Sequence, residues 1–199
     1  RRVTRLDRDI AAIVASSNTP TWIGWRVTAA ATPYIGEYRG RATFLRTEAE
    51  GDYYIPLDQR QWTVLAARLK AGTIVGSGIA HVPVDKRFYA GGGGSVRGFV
   101  YQSAGPRDNF NNPLGGASLF EASVEVRQRI GQSWGAVAFV DAGQVFQRVT
   151  DFSLGSLQWA TGLGVRVRTP VGLFRFDVAT PLPRRDLPIR YHFGFGHMF

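Results

Sequence analysis

The sequence predicts an all-β protein, an antiparallel transmembrane β-barrel built from about eight strands. Three observations carry that reading. Apolar residues recur with a period of two along most of the chain, the signature of half-buried strands. The alternate face carries long charged side chains on strand after strand. Tight turns alternate with long links, as they do at the two rims of an outer-membrane barrel. Composition agrees. The 199 residues are 44% apolar and include 24 Gly and 13% aromatics, a balance that suits turn-rich β-structure.

The clearest strands lie in the second half. In Ser118–Ile130, Phe120, Ala122, Val124 and Val126 alternate with Glu121, Ser123, Glu125 and Arg127. Trp134–Gly143 is mostly apolar, with Asp141 near its end. Gln158–Arg168 sets Trp159, Leu163, Val165 and Val167 against Gly162, Gly164, Arg166 and Arg168. Leu173–Ala179 sets Phe174, Phe176 and Val178 against Arg175 and Asp177. Tyr191–Phe199 sets Tyr191, Phe193, Phe195 and Phe199 against His192, Gly194 and Gly196. Weaker alternation marks Ile23–Ala31, Ala42–Glu50 and Gln61–Gly72. Leu6–Val14 fits either one more strand or a short amphipathic helix. Tight turns are expected at Ile55–Asp58, Gly131–Ser133 and Thr169–Gly172, and long links at Gly76–Ala117, Gln144–Ser156 and Pro181–Pro188.

A soluble sandwich also alternates, and its apolar face makes a core. The run of charges from Arg26, Arg46, Glu48 and Arg68 to Arg175 and Asp177 favours a wet lumen instead, with the apolar face toward lipid. Phe120, Val124, Trp159, Leu163, Phe174, Phe176, Phe193 and Phe195 should then face outward. Cys is 0, which removes disulfides and thiolate chemistry. No apolar run reaches the roughly 18 residues of a membrane helix. No signal peptide is visible, so an exported chain would be a mature form or a fragment. The net charge of +9 suits nucleic acid, anionic lipid or a charged channel alike.

Enzymatic readings are poor. The three histidines, His81, His192 and His197, are too scattered for a metal site, and nothing places Ser, His and Asp in one cleft. No cofactor is expected, and neither is a metal. Nucleic-acid binding would interleave charges with exposed aromatics, whereas here the two fall on opposite faces.

One link is too long for a hairpin. Structureless loops beyond roughly 12–15 residues are usually functional or disordered. Residues 77–117 contain RFYAGGGGSVRGF at Arg87–Phe99. A phosphate-binding loop would need Lys-Ser or Lys-Thr after its glycines, and a flexible linker would avoid Phe88, Tyr89, Phe99 and Tyr101.

This segment resembles the loop signature of the BamA/TamA-type outer-membrane assembly and secretion superfamily. SLFEASVEVR (Ser118–Arg127), WGAVAFVDAGQVF (Trp134–Phe146), GLGVRVRTPVGLFRFDVATPL (Gly162–Leu182) and YHFGFGHMF (Tyr191–Phe199) are similar to the strands that follow it in that family, in the same order. The nearest likeness is to the TamA branch. The resemblance implies a 16-stranded barrel preceded by periplasmic repeats, so the chain, residues 1–199, corresponds to the C-terminal half of the barrel, with the 77–117 loop folded into the lumen.

It further implies that Val96, Arg97, Gly98 and Phe99 form the lumenal loop motif, with Arg97 pairing to the wall carboxylates Glu125 and Asp141. Parity points Glu125 to the charged face. Asp141 shares a face with Val137 and Phe139, so its direction rests on the resemblance, and Arg127 or Arg166 are rival partners for Glu125. The glycines promise the loop no packing of its own. Tyr191, Phe193, Gly194, Phe195 and Phe199 match the family's C-terminal assembly signal, although His197 stands where that signal usually has a large apolar residue. Gly194 and Gly196 would weaken the last strand.

The implied function is assembly of other proteins in the bacterial outer membrane: insertion or export of β-barrel or autotransporter clients, with no bond-making chemistry. The implied partners are the outer-membrane lipid bilayer, unfolded outer-membrane protein clients, and a periplasm-spanning or accessory partner reached through N-terminal periplasmic repeats, but not nucleic acid. The alternative within the family is a two-partner-secretion-type polypeptide transporter pore.

Overall fold

The structure is a computed structural model that describes residues 10–16, 24–182 and 188–196. Nine antiparallel strands form one sheet in chain order: β1 (Ile10–Ser16), β2 (Gly24–Glu37), β3 (Arg41–Pro56), β4 (Thr63–Gly76), β5 (Ser118–Ile130), β6 (Trp134–Phe146), β7 (Gln158–Thr169), β8 (Gly172–Leu182) and β9 (Arg190–Phe195). The ambiguous N-terminal segment is therefore a strand over residues 10–16. The sheet is open: among the described residues, β1 and β9 are its two edges. Most strands reach 11–16 residues, enough to cross a bilayer when tilted.

The first hairpin is longer than its sequence suggests. β2 runs on through Pro33 and pairs with β3 as far as Glu37↔Arg41. Pro33 has no N–H to give a second neighbour, and among the described residues the pairing of β2 with β1 reaches as far as Ala31. The connection at residues 38–40 is thus a tight turn on the rim that otherwise bears the long links.

Parity sorts the side chains as a barrel requires. Val124, Trp159, Leu163, Phe174, Phe193 and Phe195 are exposed on the convex face, Leu163 at 68% and Phe193 at 79%. Phe120 and Phe176 share that face. Phe120 packs edge-on against Phe152, and Phe176 stacks on Tyr191 and meets Phe193 at a tilt. Trp62 and Trp134, also exposed, stand next to the short turns, where a barrel carries its aromatic girdle. The concave face buries Asp52, Arg68, Glu121, Ser123, Glu125, Asp141, Arg166 and Asp177.

The buried core is not between two sheets but between the sheet and the long loop. Ala42, Phe44, Ile74, Leu119 and Val145 of the wall pack against Val82, Phe88, Ala90, Ala104 and Ala117 of the loop. The expectation of a loop without packing of its own is corrected here. Phe88 and Gly116 exchange two backbone hydrogen bonds of 3.0 Å. Ala104 N–H donates to Ala90 O at 2.9 Å. The aromatic and alanine residues flanking the glycines give the stalk its own small core.

Candidate functional site: a loop tip seated on the inner wall

Two-residue spacing on β5 places Glu121, Ser123, Glu125 and Arg127 on one face, each pair about 7 Å apart. The register sets Ser123 opposite Asp141 on β6 and Gly164 opposite Asp177 on β7–β8. The wall thus presents a patch of carboxylates before the loop arrives.

Arg97 enters this patch and is fully buried, as are Glu125, Asp141 and Asp177. Its Nε donates to Asp141 Oδ2 at 2.7 Å and its Nη2 to Asp141 Oδ1 at 2.8 Å. That is the bidentate geometry for which a guanidinium is suited. Nη1 donates to Glu125 Oε1 at 2.6 Å, and Nη2 also reaches Ser123 Oγ at 3.2 Å. The backbone N–H of Arg97 adds a bond to Asp141 Oδ2 at 3.0 Å, so Asp141 fixes both the side chain and the main chain. Ser123 Oγ donates to Asp141 Oδ1 at 2.6 Å. The guanidinium lies 3.3 Å from the centroid of the Phe139 ring, close enough for a cation–π contribution.

The rival partners of Glu125 are present as well. Arg127 Nε donates to Glu125 Oε2 at 2.7 Å, and Arg166 lies 3.9 Å from Oε1 while binding Asp177 at 2.5 Å. Three guanidinium groups therefore face three carboxylates, and the cluster is neutral. Neutrality matters because an uncompensated buried charge is costly.

Sequence reasoning missed the rest of the seat. Ser95 Oγ donates to Glu121 in a short contact and accepts from Gly91 N–H at 2.8 Å. Arg68 reaches the carbonyls of Gly94 and Ser95 at 3.3 and 3.4 Å. Arg175 Nη2 donates to Gly93 O at 3.0 Å. The tip is thus held by strands β4, β5, β6, β8 and β9 together. Parity placed Arg68, Arg175 and Asp177 in the lumen but could not show what they hold.

Of the remaining motif residues, Val96 is fully buried and Phe99 is half-buried near Pro181 and Leu182. Gly98 has φ of +89°, a conformation costly for any residue with a Cβ, and its N–H donates to His192 Nε2 at 3.0 Å. Tyr191, Phe193 and Phe195 line the exposed face of β9 and Gly194 its inner face. Phe199 and His197 lie outside the described residues. Among those described, no cluster of three His, Asp or Glu is disposed to hold a metal.

An open β-sheet with a lipid-compatible exterior, a charged interior and a loop pinned inside it defines an integral outer-membrane β-barrel protein. More narrowly, residues 16–199 match the Omp85 superfamily domain, and the chain belongs to that superfamily. It is 30% identical over 172 residues to the outer membrane protein assembly factor BamA of Nitratidesulfovibrio vulgaris, covering 82% of this chain and 22% of that protein. A SAM50-like protein of Schizosaccharomyces pombe is 24% identical over 167 residues, covering 78% of this chain and 35% of its own length. The fold is similar to the crystal structure of BamA from Haemophilus ducreyi lacking POTRA domains 1–3, with a TM-score of 0.68 and 21% identity, covering 90% of this chain and 39% of that one. The chain spans about a fifth to two fifths of these relatives. Its place is the bacterial outer membrane.

Proposed function

We propose that this chain is the C-terminal half of the barrel of an outer-membrane assembly factor that inserts or exports β-barrel or autotransporter clients. The observation that supports this most is the seat of Arg97. A transport pore open to solutes has no need of a loop tip tied to five wall strands through a buried charge cluster. Such a seat holds one loop conformation firmly, and it can be exchanged only as a unit, because the partners are shared. In this reading Arg97 positions the tip, Glu125 and Asp141 hold it, and Tyr191–Phe199 carries the signal that guides the barrel's own assembly. Client proteins enter unfolded, and periplasmic repeats preceding the barrel engage an accessory partner.

The test is depletion of the full-length protein in its host, with the outer-membrane proteome measured. Many β-barrel or autotransporter proteins should fall together, and an Arg97→Ala copy should fail to restore them. A single secreted polypeptide lost, with barrel levels intact, would replace this reading by the dedicated transporter pore. Unchanged levels of both would refute it.

A further inference from the structure

β9 is the last strand among the described residues, and its six residues pair with β8 from Ala179↔Arg190 to Phe174↔Phe195. β9 is also tied to the loop tip. His192 points inward and its Nε2 accepts the Gly98 N–H at 3.0 Å. Gly98 follows Arg97 directly, and Arg97 is immobilised by Asp141 and Glu125, so the direction of the Gly98 N–H is set by the charge cluster. Beside His192, the Arg175 side chain crosses the inner face of Gly194 to reach Gly93 O at 3.0 Å. A Cβ on Gly194 would collide with the Arg175 guanidinium. The glycine expected to weaken the last strand is therefore needed for a cross-strand arginine to reach the loop.

We propose that His192 is a positioning residue that latches β9 to the loop tip, so that the Gly98–His192 hydrogen bond transmits the seating of Arg97 to β9. The proposal rests on the assembly reading above for its biological sense, but its physical content is independent of it. The imidazole must accept at Nε2, which requires the neutral ring with its proton on Nδ1. Protonation turns Nε2 into a donor facing a donor, and the latch opens. The charged groups that face the ring are Arg97 of the loop, Asp141 of β6 and Arg175 and Asp177 of β8, with Asp177 directly opposite His192 in the register.

Hydrogen exchange of the full-length protein in lipid nanodiscs tests this. It is read by mass spectrometry at residues 93–99 and 190–196 and corrected for intrinsic rates. At pH 8 both segments should be protected. At pH 5 both should exchange roughly tenfold faster, the scale of one lost hydrogen bond. His192→Gln keeps an acceptor that does not titrate and should stay protected at both pH values. His192→Leu should open both segments at both pH values while residues 122–141 stay protected. His192→Leu with wild-type protection, or His192→Gln with the wild-type pH response, would overturn the latch. If His192→Leu fails to fold, the comparison of wild type with His192→Gln across pH still decides. Loss of the latch with intact client dependence leaves the assembly reading standing. A functioning latch without client dependence leaves the reverse.

Discussion

Arg97→Ala removes the one cation that the loop contributes to the wall. The structure sets the size of the effect. Three guanidinium bonds to carboxylates, at 2.6, 2.7 and 2.8 Å, disappear together. Glu125 keeps Arg127 and Arg166, so its charge remains compensated. Asp141 keeps the hydroxyl of Ser123 and the backbone N–H of residue 97, neither of them a cation, and is left as a fully buried carboxylate. Breaking one side of a buried pair typically costs about 3–5 kcal/mol, or roughly two to three and a half powers of ten in the docking equilibrium of the loop. Arg97→Lys retains the charge but not the fork, and should lose about half as much. Asp141→Asn in the Arg97→Ala background should cost little more, because the charge left stranded is removed with it. The assay is limited proteolysis within residues 87–104 of the purified full-length protein, alongside heat-modifiable mobility to confirm an intact barrel. Loop cleavage as slow in Arg97→Ala as in wild type would refute the reasoning. So would full additivity of the two substitutions.

Other perturbations separate the parts of the account. Leu163→Arg puts a cation on the convex face of β7, where Leu163 is 68% exposed. It should destabilise the barrel by about 2–4 kcal/mol if it lies near the bilayer midplane, visible as a shifted unfolding midpoint in urea, whereas a soluble protein would tolerate it. Ser95→Ala removes the hydroxyl that links Gly91 to Glu121 and should loosen the tip by about 1 kcal/mol, read by the same loop proteolysis. Deletion of Phe199 should lower outer-membrane levels of the protein more than it lowers the thermal stability of what is assembled; normal levels would remove the signal role. Asp58 caps the β3–β4 turn by accepting from the Thr63 N–H at 2.6 Å, and that bond first among several holds its carboxyl below the ordinary 3.8. A depressed carboxylate stabilises above its unfolded value and loses that support as pH falls through the folded one, so exchange at residues 58–63 should accelerate below about pH 4, and Asp58→Asn should flatten that response.

The strands and their faces were legible because parity survives without tertiary knowledge: Val124 out and Glu125 in is a statement about pleat. Where wall and loop meet, parity of polarity fails. Val137 and Phe139 point inward beside Asp141, and at Phe139 the Arg97 guanidinium of the loop lies over the ring. The extension of β2 through Pro33 was hidden because proline reads as a strand breaker. Arg97, Glu125 and Asp141 stood out through the family likeness of their motifs. Ser95, Arg68, Glu121, Arg175 and His192 did not, because their bonds join residues 26 to 94 positions apart. Such contacts depend on where the loop comes down, which no local pattern encodes.

The central claim is that the loop tip rests on the inner wall in the membrane. Ser95 and Glu121 touch there, and this chain has 0 cysteines, so a Ser95→Cys, Glu121→Cys pair adds the only two thiols to it. A short bis-maleimide crosslinker applied to intact outer membranes should alkylate and bridge them as readily as a Val124→Cys, Val140→Cys control pair, neighbours across β5 and β6. The account predicts bridging of both pairs, and loss of the first alone when Arg97→Ala is added. Bridging of the control with none between 95 and 121 in the otherwise unmodified protein would contradict it.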